Sequence, residues 1–374
     1  MNDNNDNENI NSSMNLPTPS LQLTQTSMSP HVRYSETTAT IMSRVLIALL
    51  PSLVWAVVIF GYRALTLTLI SVTSCVLFEF LCQKIMRRTV RVGDLSAVVS
   101  GMLIAFVLPV NAPLWTPVIG AAFAIIIVKQ LFGGIGKNIF NPTVAAWVFL
   151  YLCFDFMRVF QDINEPLLPA FEISPEIIAE TAVPLVFLKD GVPPPSLNML
   201  DMILGQHSGY LGEISSLLLL AGGIYLIVRK VITWHIPISF IGTVALIAFL
   251  FPQTANHVEF TAHQILSGGL ILTAFFMATD YSTSPISKSG KLIFGVGCGL
   301  ITISIRYFAS SLEGVFFAIM IMNTLVWYID RLTKPIKFGG VKAKSKPPTE
   351  KLTETPEMSE ASEASAVNES EGEE

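Results

Sequence analysis

Residues 45–62 read VLIALLPSLVWAVVIFGY, with no charged side chain between Arg44 and Arg63. A bilayer core accepts about 20 such residues per helical crossing. The pattern recurs, and the apolar runs read as ten helices: 45–62, 65–82, 94–110, 115–132, 142–154, 213–228, 231–251, 265–279, 291–305 and 313–329. The third, fifth and eighth are short for a full crossing. Each borders a breaker, at Pro109 to Asn111, Asn141-Pro142 and Ser284-Pro285. Short, interrupted apolar segments predict broken or re-entrant helices that line a cavity.

Composition agrees with those runs. Charged residues make up 14% of the 374 and hydrophobic ones 51%, against roughly 25% charged in a soluble domain. The charges also crowd into the two ends, so a water-soluble fold is excluded. The net charge of −5 comes from an acidic C-terminal tail, and Lys and Arg form no stripe, which excludes nucleic-acid binding. Cys75, Cys82, Cys153 and Cys298 form no C-x-x-C pair and no Cys/His cluster with metal spacing. All four read as buried small apolar side chains, and no metal site is expected.

Orientation follows from the positive-inside rule. With the N-terminus in the cytoplasm and ten crossings, only Arg63, Arg158, Lys189 and Arg306 of the 23 basic residues fall outside. Lys129 counts as an inside loop charge. Both termini are then cytoplasmic in a cell-membrane protein, and the loop 155–212 faces out.

Ser100-Gly101-Met102-Leu103-Ile104 returns as Ser267-Gly268-Gly269-Leu270-Ile271, and segment starts in the two halves keep a near-constant spacing. Five helices per copy is an odd number, so the second copy is inverted. The expected fold is therefore an all-α integral membrane protein, with about ten transmembrane helices in two inverted five-helix repeats containing short broken helices. Its divisions are a disordered cytoplasmic tail (1–40), the first repeat (41–154), the extracytoplasmic loop (155–212), the second repeat (213–334) and a disordered acidic cytoplasmic tail (335–374).

Carboxylates within apolar helices are candidates for an ion pathway. Glu79 sits in VLFEFL, near the basic cluster Lys84 to Arg91, and a side chain reaching toward that cluster is its structural alternative. Asp280 ends the eighth segment in FFMATDYSTSP, where hydroxyls and a carboxylate at a helix end suit a polar ligand; turn chemistry before Pro285 is the alternative. GGIGKNIFNP, residues 133–142, opens the fifth helix. Gly134, Gly136, Asn138 and Asn141 there suit an anion or cofactor phosphate at a helix N-terminus, or simply a tight turn. Gly295, Gly297 and Gly299 read as close helix packing.

Together these motifs resemble the D subunit of the Rnf ion-translocating electron-transport complex, a relative of the B subunit of the sodium-pumping NADH:quinone reductase. Added to them are DLSAVVSG at 94–101, VKQLFGGIG at 128–136, Leu204-Gly205, Gly212-Glu213, and the run from Glu313-Gly314 to Asp330-Arg331. The resemblance spans about Ser29 to Gly339. It implies a membrane subunit, not catalytic alone, of a redox-driven pump that couples electron transfer between ferredoxin and NAD to Na+ or H+ translocation. The implied partners are the A, B, C, E and G subunits, together with membrane lipid; the implied cofactor is FMN, or riboflavin. Family members esterify FMN to a threonine of the outward loop. Here Val183 holds that position without a hydroxyl, Ile177 and Glu180 replace the motif's upstream polar residues, and Thr181 is the substitute acceptor. Trp147 stands where the family has an arginine. A cofactor-free channel or transporter, and a structural subunit that has lost its flavin, are the two alternatives.

The charge split makes a direct prediction. A compartment reporter fused at Arg88 is expected to be active only in the cytoplasm and one at Lys189 only outside; swapped activities would reverse the orientation.

Overall fold

The computed structural model describes residues 36–158, 160, 167, 169–172, 199–205, 209–213, 216–309 and 313–333. Thr181 and Val183 lie outside these, as do most of the two tails. Among the described residues the chain is helical, with a single isolated bridge between Pro109 and Tyr210.

Helix α1 (Thr38–Phe60) starts where the Thr37 hydroxyl accepts from the Thr40 N–H at 3.2 Å, so the helix reaches into the expected N-terminal tail. One residue, Gly61 at φ 71°, turns the chain into α2 (Tyr62–Ile85). The left-handed Leu95 (φ 62°) precedes α3 (Ser96–Phe106). α4 (Thr116–Gln130) becomes π-helical from Phe123, its last bond running from Leu131 N to Ile126 O. Asn141 caps α5 (Pro142–Cys153) by accepting from Thr143 N and Val144 N. A short α6 (Met199–Leu204) follows. The second half holds α7 (Ser216–Val228), α8 (His235–Leu250), α9 (His257–Leu266), α10 (Leu270–Met277), α11 (Lys288–Phe308) and α12 (Gly314–Leu332). α10 starts from left-handed Gly269, again at φ 62°, and is π-helical from Thr273.

Each of the ten apolar runs holds a helix. α1, α2, α11 and α12 are long and apolar enough to cross a membrane, and α9 with α10 makes a fifth candidate bent by 59°. α3, α4, α5, α7 and α8 are apolar but shorter. The outward face of α1 carries exposed Ile47, Leu50, Val54 and Val58, a face that suits lipid and not water. The chain is a multi-pass membrane protein. Helix α9 goes beyond the expected set, because HVEFTAHQIL is too polar to register as an apolar run.

α3, α5 and α10 occupy the centre, and nearly all their side chains are buried. Trp147 of α5 is fully buried and stacks on Phe316 of α12 at 4.1 Å and on Tyr151 at 4.6 Å. Position 147 is thus an aromatic joint between the halves. Three basic residues that the charge pattern assigns to loops are instead buried: Arg63, Lys129 and Arg306. Each finds carbonyls or a carboxylate inside the protein, which loop arithmetic does not register. Cys153 also departs from expectation, being exposed, while the other three cysteines are buried.

Small residues set the helix spacing. A Cβ on Gly295 or Gly299 would strike Ser239 or Thr243 of α8, and one on Gly297 would strike Met322 of α12. α11 is therefore clamped on two faces, as its alternating glycines imply. On Gly222 of α7 a Cβ would lie 2.4 Å from the Ala48 carbonyl of α1, and backbone has little room to retreat. Gly222→Val is expected to cost about 1–3 kcal/mol by overpacking. Gly242→Ala, with open space around its Cβ, is expected to leave stability unchanged or slightly raised. Thermal unfolding of the purified protein in detergent checks this, and equal shifts for both variants would contradict the packing.

Candidate functional site

The first turn of α3 is buried and cannot draw on solvent for its free N–H groups. The Asp94 carboxylate supplies a partner, accepting from Ser96 N at 2.9 Å and from Ser96 Oγ at 2.6 Å. The Ser96 hydroxyl in turn accepts from Lys129 Nζ at 2.6 Å. Lys129 stands at the π-helical end of α4 and pairs with Glu79 of α2 at 2.8 Å, both side chains almost fully buried. Gln83 and Gln130 donate to the same carboxylate at 3.2 and 3.0 Å. Glu79 therefore does not reach toward the Lys84 to Arg91 cluster: its charge is neutralised inside, by a lysine fifty residues away.

Lys129 also lines a cavity of about 100 Å³. Its walls are mostly apolar, with Val99 and Leu103 of α3, Met42 of α1, Leu226 of α7, and Phe275 and Phe276 of α10. Polar groups converge on it: Ser96, Ser100, Asn138, Asn141, Thr279 and Asp280. Both π-helical stretches contribute, one through Lys129 and the other through the two phenylalanines. Such widened turns concentrate at functional sites, because they turn side chains out of the regular helical register.

Asn141 joins the two halves of the chain. Its Oδ1 caps α5, while Nδ2 donates to Met277 O at the end of α10 at 3.1 Å. Asn323 of α12 completes the joint: with its amide turned to suit both partners, it donates to Thr283 O and accepts from Asn141 N, each at 3.1 Å. Asp280 follows α10 in a tight turn, where its Oδ2 accepts from Ser282 Oγ at 2.8 Å and Thr283 Oγ1 at 3.3 Å. Turn chemistry and cavity lining thus coexist at one carboxylate.

Of the residues singled out from sequence, Asn138, Asn141 and Asp280 meet at the cavity, and Glu79 stands directly behind it through Lys129. Gly134 and Gly136 do not line it. Their left-handed backbones (φ 96° and 82°) form the turn, and the Gly134 N–H is used on Lys129 O at 2.9 Å. That N–H closes the end of a helix. Lys129, Ser96, Ser100 and Asn323 escape sequence reasoning. A lysine directly after FAIIIV is the available signal for Lys129, but its position also fits a loop charge.

Residues 25–339 match the NQR2, RnfD, RnfE family. The D subunit of the Na(+)-translocating ferredoxin:NAD(+) oxidoreductase complex of Acetobacterium woodii is 42% identical over 320 residues, 85% of this chain and 96% of that protein. The D subunit of the ion-translocating oxidoreductase complex of Stutzerimonas stutzeri is 37% identical over 337 residues, covering 82% and 93%. The D subunit of the proton-translocating ferredoxin:NAD(+) oxidoreductase complex of Clostridium ljungdahlii is 35% identical over 325 residues, covering 84% and 95%.

The buried ion pair makes a stability prediction. Removing one partner strands a charge, and Lys129→Met alone is expected to cost about 3–5 kcal/mol. Adding Glu79→Leu to Lys129→Met is expected to recover most of that loss. Unfolding of the single and double variants in detergent checks this; a double variant as weak as the single one would show that the pair is not coupled.

Proposed function

The chain belongs to the NQR2, RnfD, RnfE family, and from that premise we propose that it acts as the D subunit of a membrane complex coupling electron transfer between ferredoxin and NAD to Na+ or H+ translocation. It is a membrane subunit of a redox-driven ion pump and does not catalyse alone. Its partners are the other subunits of that complex, read as A, B, C, E and G. It resides in the cell membrane with both termini in the cytoplasm. The two halves are read as inverted repeats, a reading supported by the near-constant spacing of their apolar segments.

The observation that carries the site assignment is the cavity where Asn138 and Asn141 from the first half meet Asp280 from the second. Phe275, Phe276, Leu103 and Leu226 give it apolar walls and the two asparagines a polar part, but about 100 Å³ is room for an ion with a few waters and too small for a flavin ring system. Asn141 is fixed by its cap and by Met277 O, and the apolar walls limit the water that enters. Lys129, held by Glu79 and Ser96, places a fixed positive charge on the wall. Asp280 offers a carboxylate to the translocated ion in the same cavity. FMN, or riboflavin, is read as held by the subunit outside this cavity and without a covalent bond at Val183, which has no oxygen to form one. Val183 has no oxygen for a phosphoester, which also supports a second reading in which the subunit keeps the fold and complex contacts but no covalent flavin.

Asp280→Asn in the assembled complex is expected to abolish ion uptake into vesicles while preserving assembly and flavin content. Wild-type uptake would remove Asp280 from the pathway. Flavin fluorescence is expected to leave this chain on denaturation, with no adduct at 183. An FMN adduct on peptide 177–185, at any residue but Thr181, would overturn the non-covalent reading.

A further inference from the structure

The cavity lies where α3 begins and α10 ends. At the other ends of these two helices is a second buried polar cluster, formed by residues that the flavin and Asp280 reading does not use. There the Gly212 N–H donates to Phe106 O at the end of α3. Arg306 of α11 is 2% exposed. Its Nη1 donates to Gln264 O and Oε1 at 2.6 and 3.0 Å, and its Nη2 to Ser267 O and Gly268 O at 3.1 and 3.3 Å. The guanidinium's terminal N–H groups thus go to an amide and to carbonyls, and bond neither carboxylate in the cluster.

Those carboxylates are Glu213, 2% exposed, and Glu313, 4% exposed. Glu213 Oε1 accepts from the Gly268 N–H and stands 3.5 Å from Ser267 Oγ; its Oε2 accepts from Tyr210 N at 3.4 Å. Glu313 lies within electrostatic reach of Glu213 and Arg306, and Tyr210 within reach of both carboxylates. Among the described residues, Glu313 Oε2 has no hydrogen-bond partner.

Comparison with Asn141 shows what is unusual about Glu313. Each stands immediately before an apolar helix, α5 or α12. Asn141 uses its side chain on the free N–H groups of the first turn, whereas the Glu313 side chain caps nothing. Helix N-termini favour carboxylate caps, so the uncapped geometry leaves an acceptor available for something else. Charge balance points the same way. Two carboxylates and one guanidinium leave one negative charge in a buried site, and buried charges are paired or coordinated. Acidic residues at membrane depth mark ion and proton routes.

We propose that Glu213 and Glu313 form a binding site for one small monovalent cation, Na+ or H+, at the end of α3 and α10 opposite the Asp280 cavity. The cation takes the free Glu313 oxygen together with the Glu213 carboxylate, and Arg306 fixes the surrounding carbonyls without competing for it. The proposal rests on the ion-pump reading, to which it adds a second station on the ion's route.

A carbodiimide that modifies only protonated, buried carboxyl groups tests the site on the purified wild-type complex at rest. Glu313 modification is read by peptide mass spectrometry, with other labelled carboxyls as the control for reagent access. For a Na+ site, labelling in Na+-free buffer is expected to fall several-fold on adding NaCl but not KCl. For a proton site, it is expected to ignore both salts and fall several-fold as pH rises. Labelling that ignores Na+ and pH alike, or is absent throughout, would overturn the proposal; Glu313 would then be an ordinary ion pair, turned onto the Arg306 Nε that also lacks a partner. In vesicles, Glu313→Gln is expected to keep flavin content and lose at least tenfold of ion uptake, and wild-type uptake would likewise overturn the site. Should that variant fail to assemble, the wild-type labelling decides. Because labelling needs no turnover, cation-sensitive label in a complex that pumps nothing would leave the site standing and remove the pump reading.

Discussion

Helices α3 and α10 begin and end inside the protein, where a membrane offers no water to their free backbone groups. Each end therefore needs a buried side chain of the right kind, and most of the polar interior is accounted for by that need. Asp94 accepts from the start of α3, and Glu213 from Gly268 just before α10. Beyond α3, Arg63 donates to Val110 O at 3.0 Å and Ala112 O at 2.8 Å. Asn141 takes Met277 O at the end of α10, and Arg306 takes the carbonyls at the break before it. A helix that crossed the whole bilayer would need none of these residues.

The same constraint places the functional groups. Once side chains must be buried to complete helix ends, their charges need partners as well, which brings Lys129 to Glu79 and leaves Glu213 and Glu313 beside Arg306. Between the two polar clusters runs an aromatic layer of Trp147, Phe316 and Tyr210. Trp147 is part of this economy: a bulky indole fills the joint without a charge that would need another buried partner.

Local order in the sequence is enough to establish the class of fold. Long uncharged runs admit only membrane helices, and every run expected to be a helix is one. The short runs beside Pro109, Asn141 and Pro285 mark the central helices, since breakers next to apolar sequence have few other uses. Asp280 and the asparagines at 138 and 141 are legible for the same reason: polar residues at helix ends in an apolar chain have to be doing something. Gly134 and Gly136 stay outside the cavity lining, and sequence cannot separate their two readings, because a glycine's φ and an anion's cradle leave the same trace.

Tertiary structure alone decided which charges are inside. A lysine or arginine beside an apolar run looks the same whether it meets water or a carboxylate fifty residues distant, so Arg63, Lys129 and Arg306 read as loop charges. Their partners are carbonyls of connecting segments, a helix-borne amide and one helix-borne carboxylate, and sequence spacing does not encode such distances. The sequence by itself determined that this chain lives in a membrane, breaks its helices there and keeps polar residues at the breaks. Which of those residues neutralise one another, and which are left to hold an ion, depended on packing, because charge pairing in a low dielectric is set by three-dimensional proximity.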